Sequence, residues 1–259
     1  MSQTDDPLAR LARIPVLGRQ LRAWRKRRLR RAIAAADPRD AFTHIYRTNY
    51  WGGRESASGN GSSLASTELF RVEFAQLLHD RGVRRLFDAP CGDFHWMRLV
   101  PTPPGMGYIG ADIVTDLIAD CAHRFADERH AFRVIDIIRE DHPTADLWLC
   151  RDGLFHFSEA DIFATLGRFL AAGTPWCLLT THPYVAVNRD IRTGLYREMN
   201  LARPPFNFPE PELYLRDTPQ GEKPRLLGLW SAAQVASVLS ARAAMPLHLS
   251  GTEGSAGAG

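Results

Sequence analysis

The chain predicts an α/β fold: a doubly wound, mostly parallel sheet with helices on both faces. Three observations carry this. Short apolar runs alternate with amphipathic helical patterns from about Ser66 to His182, and a strand, helix, strand order builds parallel sheets through right-handed crossovers. The stretch 83–96, V-R-R-L-F-D-A-P-C-G-D-F-H-W, closes an apolar run in Asp88 and then turns sharply at Pro90-Cys91-Gly92. Each of the first four strand patterns also ends in an acid, at the sheet edge where such folds bind ligands.

In chain order, Leu17 to Ala36 reads as one helix with Leu17, Leu21, Trp24, Leu29 and Ile33 as its apolar residues. Residues 1–36 hold ten Arg or Lys and two acids, a balance of +8, while the whole chain carries +3, so the remainder carries −5. This basic amphipathic arm reads as a solvated or partly disordered extension, or as a helix lying on an anionic membrane surface with Trp24 as anchor. Nucleic acid is the third reading, and a poorer one. The arm lacks interleaved aromatics and the rest of the chain is acidic.

Asp37-Pro38 ends that helix. An aromatic segment, Phe42 to Trp51, leads into G-G-R-E-S-A-S-G-N-G-S-S at 52–63. Such a stretch forms no core, so 37–65 is a linker or a lid over a ligand. Tyr46, Tyr50 and Trp51 beside it favour the lid.

A helix from about Ser66 places Phe70, Phe74, Leu77 and Leu78 on one face and stops at Gly82. Strand one is Arg84 to Phe87, followed by a short helix to Val100 that Pro101, Pro103 and Pro104 break. Strand two is Tyr108 to Ala111, followed by a helix carrying Leu117, Ile118, Cys121 and Phe125. Strands three and four are Ala131 to Ile135 and Asp146 to Cys150. Ser158 with Asp161 starts a helix bearing Ile162, Phe163, Leu166, Phe169 and Leu170, which stops at Gly173. Strand five is Pro175 to Thr180. A helix over Arg189 to Met199 and a proline-rich turn (Pro204, Pro205, Pro209, Pro211) fill the less regular 186–211 region. Leu213 to Leu215 and Leu226 to Trp230 form a final strand pair around Pro219-Gln220-Gly221, and Ser231 to Ala241 is the last helix. Residues 66–248 make up the folded domain, and 249–259 is a disordered Gly/Ala/Ser tail.

The four cysteines, Cys91, Cys121, Cys150 and Cys177, form no C-x-x-C pair, and no metal-ligand spacing occurs. Buried thiols in a reducing, cytoplasmic setting are the simplest reading. No run of 18 apolar residues predicts a membrane span, and no apolar stretch follows the basic N-terminus to make a secretory signal.

The strand ends suggest the chemistry. Asp112 lies 20 residues after Gly92, the separation at which a carboxylate accepts hydrogen bonds from both hydroxyls of a ribose. Asp136 is placed to meet an adenine amino group, and Cys150-Arg151-Asp152 to face the amino-acid end of a cofactor. A pyrophosphate needs close backbone approach and free N–H groups, and Pro90 removes one and fills space. A cationic, phosphate-free cofactor tolerates Asp88 and Asp93 in the same loop. These features point to S-adenosylmethionine, and to methyl rather than hydride transfer.

The set F-D-A-P-C-G-D-F-H-W-M (87–97), Y-I-G-A-D-I (108–113), V-I-D-I (134–137) and D-L-W-L-C-R-D-G-L-F-H-F-S (146–158) resembles the sequential motifs of the class I S-adenosylmethionine-dependent methyltransferases. The resemblance spans roughly residues 64–182. It implies a seven-stranded, mostly parallel Rossmann-like sheet with an antiparallel last strand. It further implies roles for Asp88, Pro90, Cys91, Gly92 and Asp93 around the methionine end, and for Asp112 with Ile113 at the ribose. Asp136 with Ile137 would take adenine, and Arg151 would supply backbone contacts. Pro90 departs from the commonest loop of that family.

Methyl transfer to an alcohol needs an aligned hydroxyl and a base to take its proton. His182 beyond strand five, His156 beyond strand four and Asp152 are the catalytic candidates. Trp51, Asn188, Arg197 and Asn200 are the acceptor-binding candidates. The acceptor is expected to be a small molecule or a glycan hydroxyl. The alternatives are a NAD-dependent dehydrogenase or epimerase and a non-catalytic, membrane-docked S-adenosylmethionine-binding module.

Overall fold

β4 (Leu147–Cys150) is buried at every position and β5 (Trp176–Thr181) at all but its first, which requires cover on both sheet faces. A computed structural model describes residues 24, 27–218 and 222–244, and these form one seven-stranded sheet in the order β3-β2-β1-β4-β5-β7-β6. The remaining strands are β1 (Arg85–Asp88), β2 (Gly107–Asp112), β3 (His130–Val134), β6 (Leu213–Arg216) and β7 (Leu226–Ser231). The first five run parallel, and β7 runs antiparallel to both β5 and β6. The expected doubly wound topology, its seven strands and its final antiparallel strand are all present.

Side chains of successive strand residues enter opposite layers. Leu147 and Leu149 pack with Phe70, Phe74 and Leu78 of α2 (Glu68–Asp80) and with Leu117 and Cys121 of α3 (Thr115–Phe125). Trp148 and Cys150 pack on the other face with Ile162, Leu166 and Phe169 of α4 (Glu159–Ala171) and Val235 of α5 (Ala232–Ala244). The Ser158 hydroxyl accepts from the Asp161 N–H at 3.1 Å, capping α4 as its sequence predicts. All four cysteines are free and buried.

Three expectations are corrected. No α-helix follows β1. The Ala89 and Cys91 N–H groups stay bonded to the Leu149 and Ala111 carbonyls, at 3.0 and 2.8 Å. Gly92 and Phe94 are both left-handed, at φ 56°, so only a single 3-10 turn, Met97–Leu99, forms before the prolines. Phe94 instead plugs an aromatic cluster with Tyr108, Phe125 and Phe132.

Residues 189–199 are not helical either. Their donors are used elsewhere: the Gly194 N–H reaches the His156 carbonyl at 2.8 Å and the Arg197 N–H reaches Phe155 at 3.2 Å. Finally, Asp37-Pro38 ends one helix and begins another, α1 (Pro38–Arg47), where no helix was expected. Asp37 accepts from the Arg39 N–H, and Pro38 suits the first turn because its missing donor has no partner there.

Residues 27–35 of the arm are helical. They dock through Ile33, which is 2% exposed and packs with Ala41 and Ile45, whereas Trp24 is 55% exposed beneath the Arg28 guanidinium. The rest of the arm, the turn Pro219-Gln220-Gly221 and residues 245–259 lie outside the described residues. No helix among the described residues is long and apolar enough to cross a membrane.

Candidate active site

The carboxyl ends of β1 to β4 open onto a cavity of ≈ 700 Å³. Its floor is the Pro90-to-Gly92 turn, which Trp148 supports from below: the buried indole N–H donates to the Ala89 carbonyl at 3.1 Å. Gly92 is required where it stands. At φ 56° a side chain would be strained, and a Cβ would lie 2.1 Å from Ser58 Oγ. Ile113 and Ile137 form apolar walls, Asp112 and Asp136 stand at the ends of β2 and β3, and Asp152 and His156 close the far side.

Each acid has a different setting. Asp112 Oδ1 accepts from the Val114 N–H at 3.1 Å, and burial pushes its pKa up to about 6 against opposing backbone hydrogen bonds. Asp136 Oδ1 accepts from the Ile138 N–H at 3.0 Å, and Arg139 lies 3.5 Å from its other oxygen. Among the described residues no lysine or arginine lines this cavity, although Arg139 stands behind Asp136 and Arg151 and Arg225 stand behind Asp152. Acids rather than guanidiniums form the lining, which favours a cationic ligand over a pyrophosphate.

Asp88 sits differently from the reading of the motif. It is 1% exposed and does not line the cavity. Its carboxyl accepts from the Tyr108 hydroxyl at 2.7 Å, and burial raises its pKa to about 7. Asp93 turns outward to the 52–63 stretch: its oxygens accept from the Ser56 hydroxyl at 2.9 Å and the Ala57 N–H at 2.8 Å. Cys91 lines a second cavity that adjoins the first.

His156 lines both cavities. Its Nδ1 is 2.8 Å from the Leu195 carbonyl, which can only accept, so the proton belongs on Nδ1 and Nε2 keeps the free lone pair. Burial lowers its pKa to about 4, so the ring is neutral at pH 7. Trp51 stacks on it with centroids 5.2 Å apart. His182 lines neither cavity. It is 4% exposed, its Nδ1 lies 3.2 Å from the Met199 carbonyl, and burial lowers its pKa.

Asn188, Arg197 and Asn200 are not brought to the cavities either. Asn188 donates to the Asn200 and Pro204 carbonyls and accepts from the Asn200 N–H, all within 2.9 Å. Asn200 donates to Pro183 and Val185 at 3.0 Å, and Arg197 donates to the Phe157 carbonyl at 2.5 Å. These polar groups knit an irregular segment whose backbone would otherwise be unsatisfied.

Sequence reasoning missed several cavity residues. Phe42 and Tyr46 project from α1 at helical spacing, a pattern visible once Asp37-Pro38 is read as a cap. It also missed Asp217 and Arg225, which flank the β6–β7 hairpin at matched positions. Arg151 Nη2 bonds to Asp217 Oδ1 at 3.0 Å and to the Gly61 carbonyl at 2.7 Å. Asp152 Oδ2 lies 3.4 Å from Arg151 Nη1 and 3.2 Å from Arg225 Nη1. Burial opposes ionisation of Asp152, yet the two guanidiniums hold its pKa below the usual value.

No protein-family model and no curated protein matches the sequence. Solved structures of similar shape do occur. Human N-acetylserotonin methyltransferase in complex with SAM is 14% identical at a TM-score of 0.51, the match covering 75% of this chain and 60% of that one. The chain thus spans only about three-fifths of that protein. Magnesium protoporphyrin IX methyltransferase from Synechocystis PCC 6803 with bound SAM is 13% identical at a TM-score of 0.50, covering 75% of this chain and 97% of that one. Strand order, the antiparallel β7 and these two likenesses agree: the chain has the fold of the class I S-adenosylmethionine-dependent methyltransferases.

Proposed function

We propose that the protein is an S-adenosylmethionine-dependent methyltransferase acting on a hydroxyl of a small molecule or glycan. The observation that carries this is the cavity at the ends of β1 to β4, lined by Asp112, Asp136 and Asp152 and by no lysine or arginine among the described residues. Asp112 would bind the ribose hydroxyls and Asp136 the adenine amino group, with Ile113 and Ile137 against the ring. The methionine end would rest on the backbone of Pro90, Cys91 and Gly92 beside Asp152, because Asp88 is committed to Tyr108. Bound there, S-adenosylmethionine supplies an electrophilic methyl group on a cationic sulfonium.

The chain's own residues supply the rest. Neutral His156 takes the acceptor's proton at Nε2, and the Asp152 carboxylate stabilises the imidazolium that results. The 52–63 segment acts as a lid, tethered through Ser56 and Ala57 to Asp93 and through Gly61 to Arg151. It shields the reacting atoms from water.

A thermal-shift titration tests the cofactor. A ligand at 100 times its Kd adds about 2.7 kcal/mol of stability, which is about 5–10 °C for a chain of this size. S-adenosylmethionine and S-adenosylhomocysteine should each give that rise and NAD none. A rise with NAD alone would sink the reading in favour of a dehydrogenase or epimerase.

A further inference from the structure

The second cavity, ≈ 1010 Å³ and sharing His156 and Asp152 with the first, contains an unresolved polar requirement. Asp152 Oδ1 and Arg225 Nη2 are buried without a hydrogen-bond partner among the described residues, as are Arg151 Nε and Asp217 Oδ2 behind them. Unmet buried polar atoms are rare and signal an absent ligand or water. These residues form a closed quartet: Arg225 Nε is 3.0 Å from Asp217 Oδ2, Arg151 bridges Asp217 and Asp152, and Arg225 returns to Asp152. Two guanidiniums and two carboxylates sum to zero charge.

Gly61 rests directly on this quartet. A Cβ there would lie 3.2 Å from Arg225 Nη1 and 3.3 Å from Asp152 Oδ2. Beside it stands an aromatic wall of Trp51, Phe155 and Tyr196. Tyr196 is 54% exposed, an unusually open position for a large aromatic ring at a cavity.

We propose that Asp152 and Arg225 are the polar anchor of the acceptor site, and that the acceptor is an uncharged polyhydroxylated ring, a sugar unit, lying against Trp51 and Tyr196. This rests on the methyltransferase reading above. Asp152 Oδ1 can only accept and Arg225 Nη2 can only donate, and a hydroxyl does both at once. A charged ligand would leave an uncompensated charge beside a neutral quartet of which Arg151 and Asp217 are buried, at a cost. The apolar C–H face of a pyranose suits an aromatic wall, and its hydroxyl rim suits the anchor. With S-adenosylmethionine bound, its methyl carbon would go to the hydroxyl oxygen and the carbon–sulfur bonding pair to sulfur, while His156 would take the hydroxyl proton.

Saturation-transfer NMR on the full chain, saturated with S-adenosylhomocysteine, tests this. The probes are methyl α-D-glucopyranoside and methyl α-L-rhamnopyranoside, with glucuronate and glucosamine as charged comparators. The neutral glycosides should bind saturably. Arg225→Gln and the exposed Tyr196→Ala should each weaken them about ten-fold, the loss of one hydrogen-bonded or packed contact. Tyr196→Ala serves as the second variant should Arg225→Gln fail to fold. Preference for a charged sugar, no saturable glycoside binding, or unchanged affinity in the folded variants would overturn the proposal. Failure of S-adenosylhomocysteine to bind overturns the cofactor assignment instead. Glycoside binding to the unliganded chain, lost in the same variants, would then still uphold the anchor.

Discussion

Replacing Asp112 by Asn should stabilise the ligand-free protein and at the same time cripple cofactor binding. Burial lifts this carboxyl from its ordinary 3.8 to about 6, so ionising it at pH 7 costs the folded state about 3 kcal/mol relative to the unfolded chain. Part of the side chain stays accessible, which brings the expected gain on removing the charge to about 1–2 kcal/mol. Asn keeps an acceptor for the Val114 N–H. Because the folded pKa lies above the unfolded one, the carboxyl's contribution to stability is full below about pH 4 and is lost as the pH rises through 6. Melting at pH 7.5 should therefore rise by about 2–8 °C, and the advantage should vanish by pH 4. The same change removes a charged acceptor from two ribose hydroxyls, worth about 2–3 kcal/mol, so Kd for S-adenosylmethionine should rise about 30- to 150-fold. A variant that melts lower than the parent at pH 7.5, or one that keeps the full S-adenosylmethionine shift, would refute the reasoning.

Three further outcomes are expected. His156 is depressed from 6.5 to about 4, so its stabilising effect is present above pH 6.5 and is lost as pH falls toward 4. Urea titrations should show the stability slope between pH 7.5 and 5 reduced by about 2 kcal/mol in His156→Gln, and coincident slopes would show that His156 is not held neutral. Trp148→Phe strands the Ala89 carbonyl in a fully buried site. It should cost about 2 kcal/mol in chemical denaturation, and a loss under 0.5 kcal/mol would mean that water replaces the indole. Gly92→Ala forces both the left-handed backbone and the Ser58 contact, costing about 1–2 kcal/mol. Trypsin cleavage after exposed Arg54 should quicken, and an unchanged rate would detach Gly92 from the lid.

The expected strands were read within a residue or two because buried parallel strands are short apolar runs, and local composition suffices to mark them. Trp148 and Leu149 face opposite layers, and both layers exclude water, so no competing assignment arises. Residues 189–199 show the opposite case. Their helical composition is overridden because their N–H groups bond to Phe155 and His156, some 40 residues earlier.

The chain by itself determined the alternating α/β class and the placement of Asp112 and Asp136 at strand ends, because these follow from the alternation of apolar runs. The motif resemblance implied the seven-stranded sheet, and the structure supplied the strand order. Tertiary structure decided which polar groups remain available for chemistry. Asp88 closes the first strand of the motif, yet Tyr108, on the neighbouring strand, occupies it. His182, at the polar end of an apolar strand, is the stronger candidate by sequence, yet packing brings His156 and not His182 to the cavities. Arg225 and Asp217 carry no motif at all. They meet Arg151 and Asp152 only because the β6–β7 hairpin delivers them to the end of β4, beneath Gly61. Strand identity is a local property of the chain. Whether a charged side chain is free or already satisfied depends on partners tens of residues away, and only the folded structure supplies those.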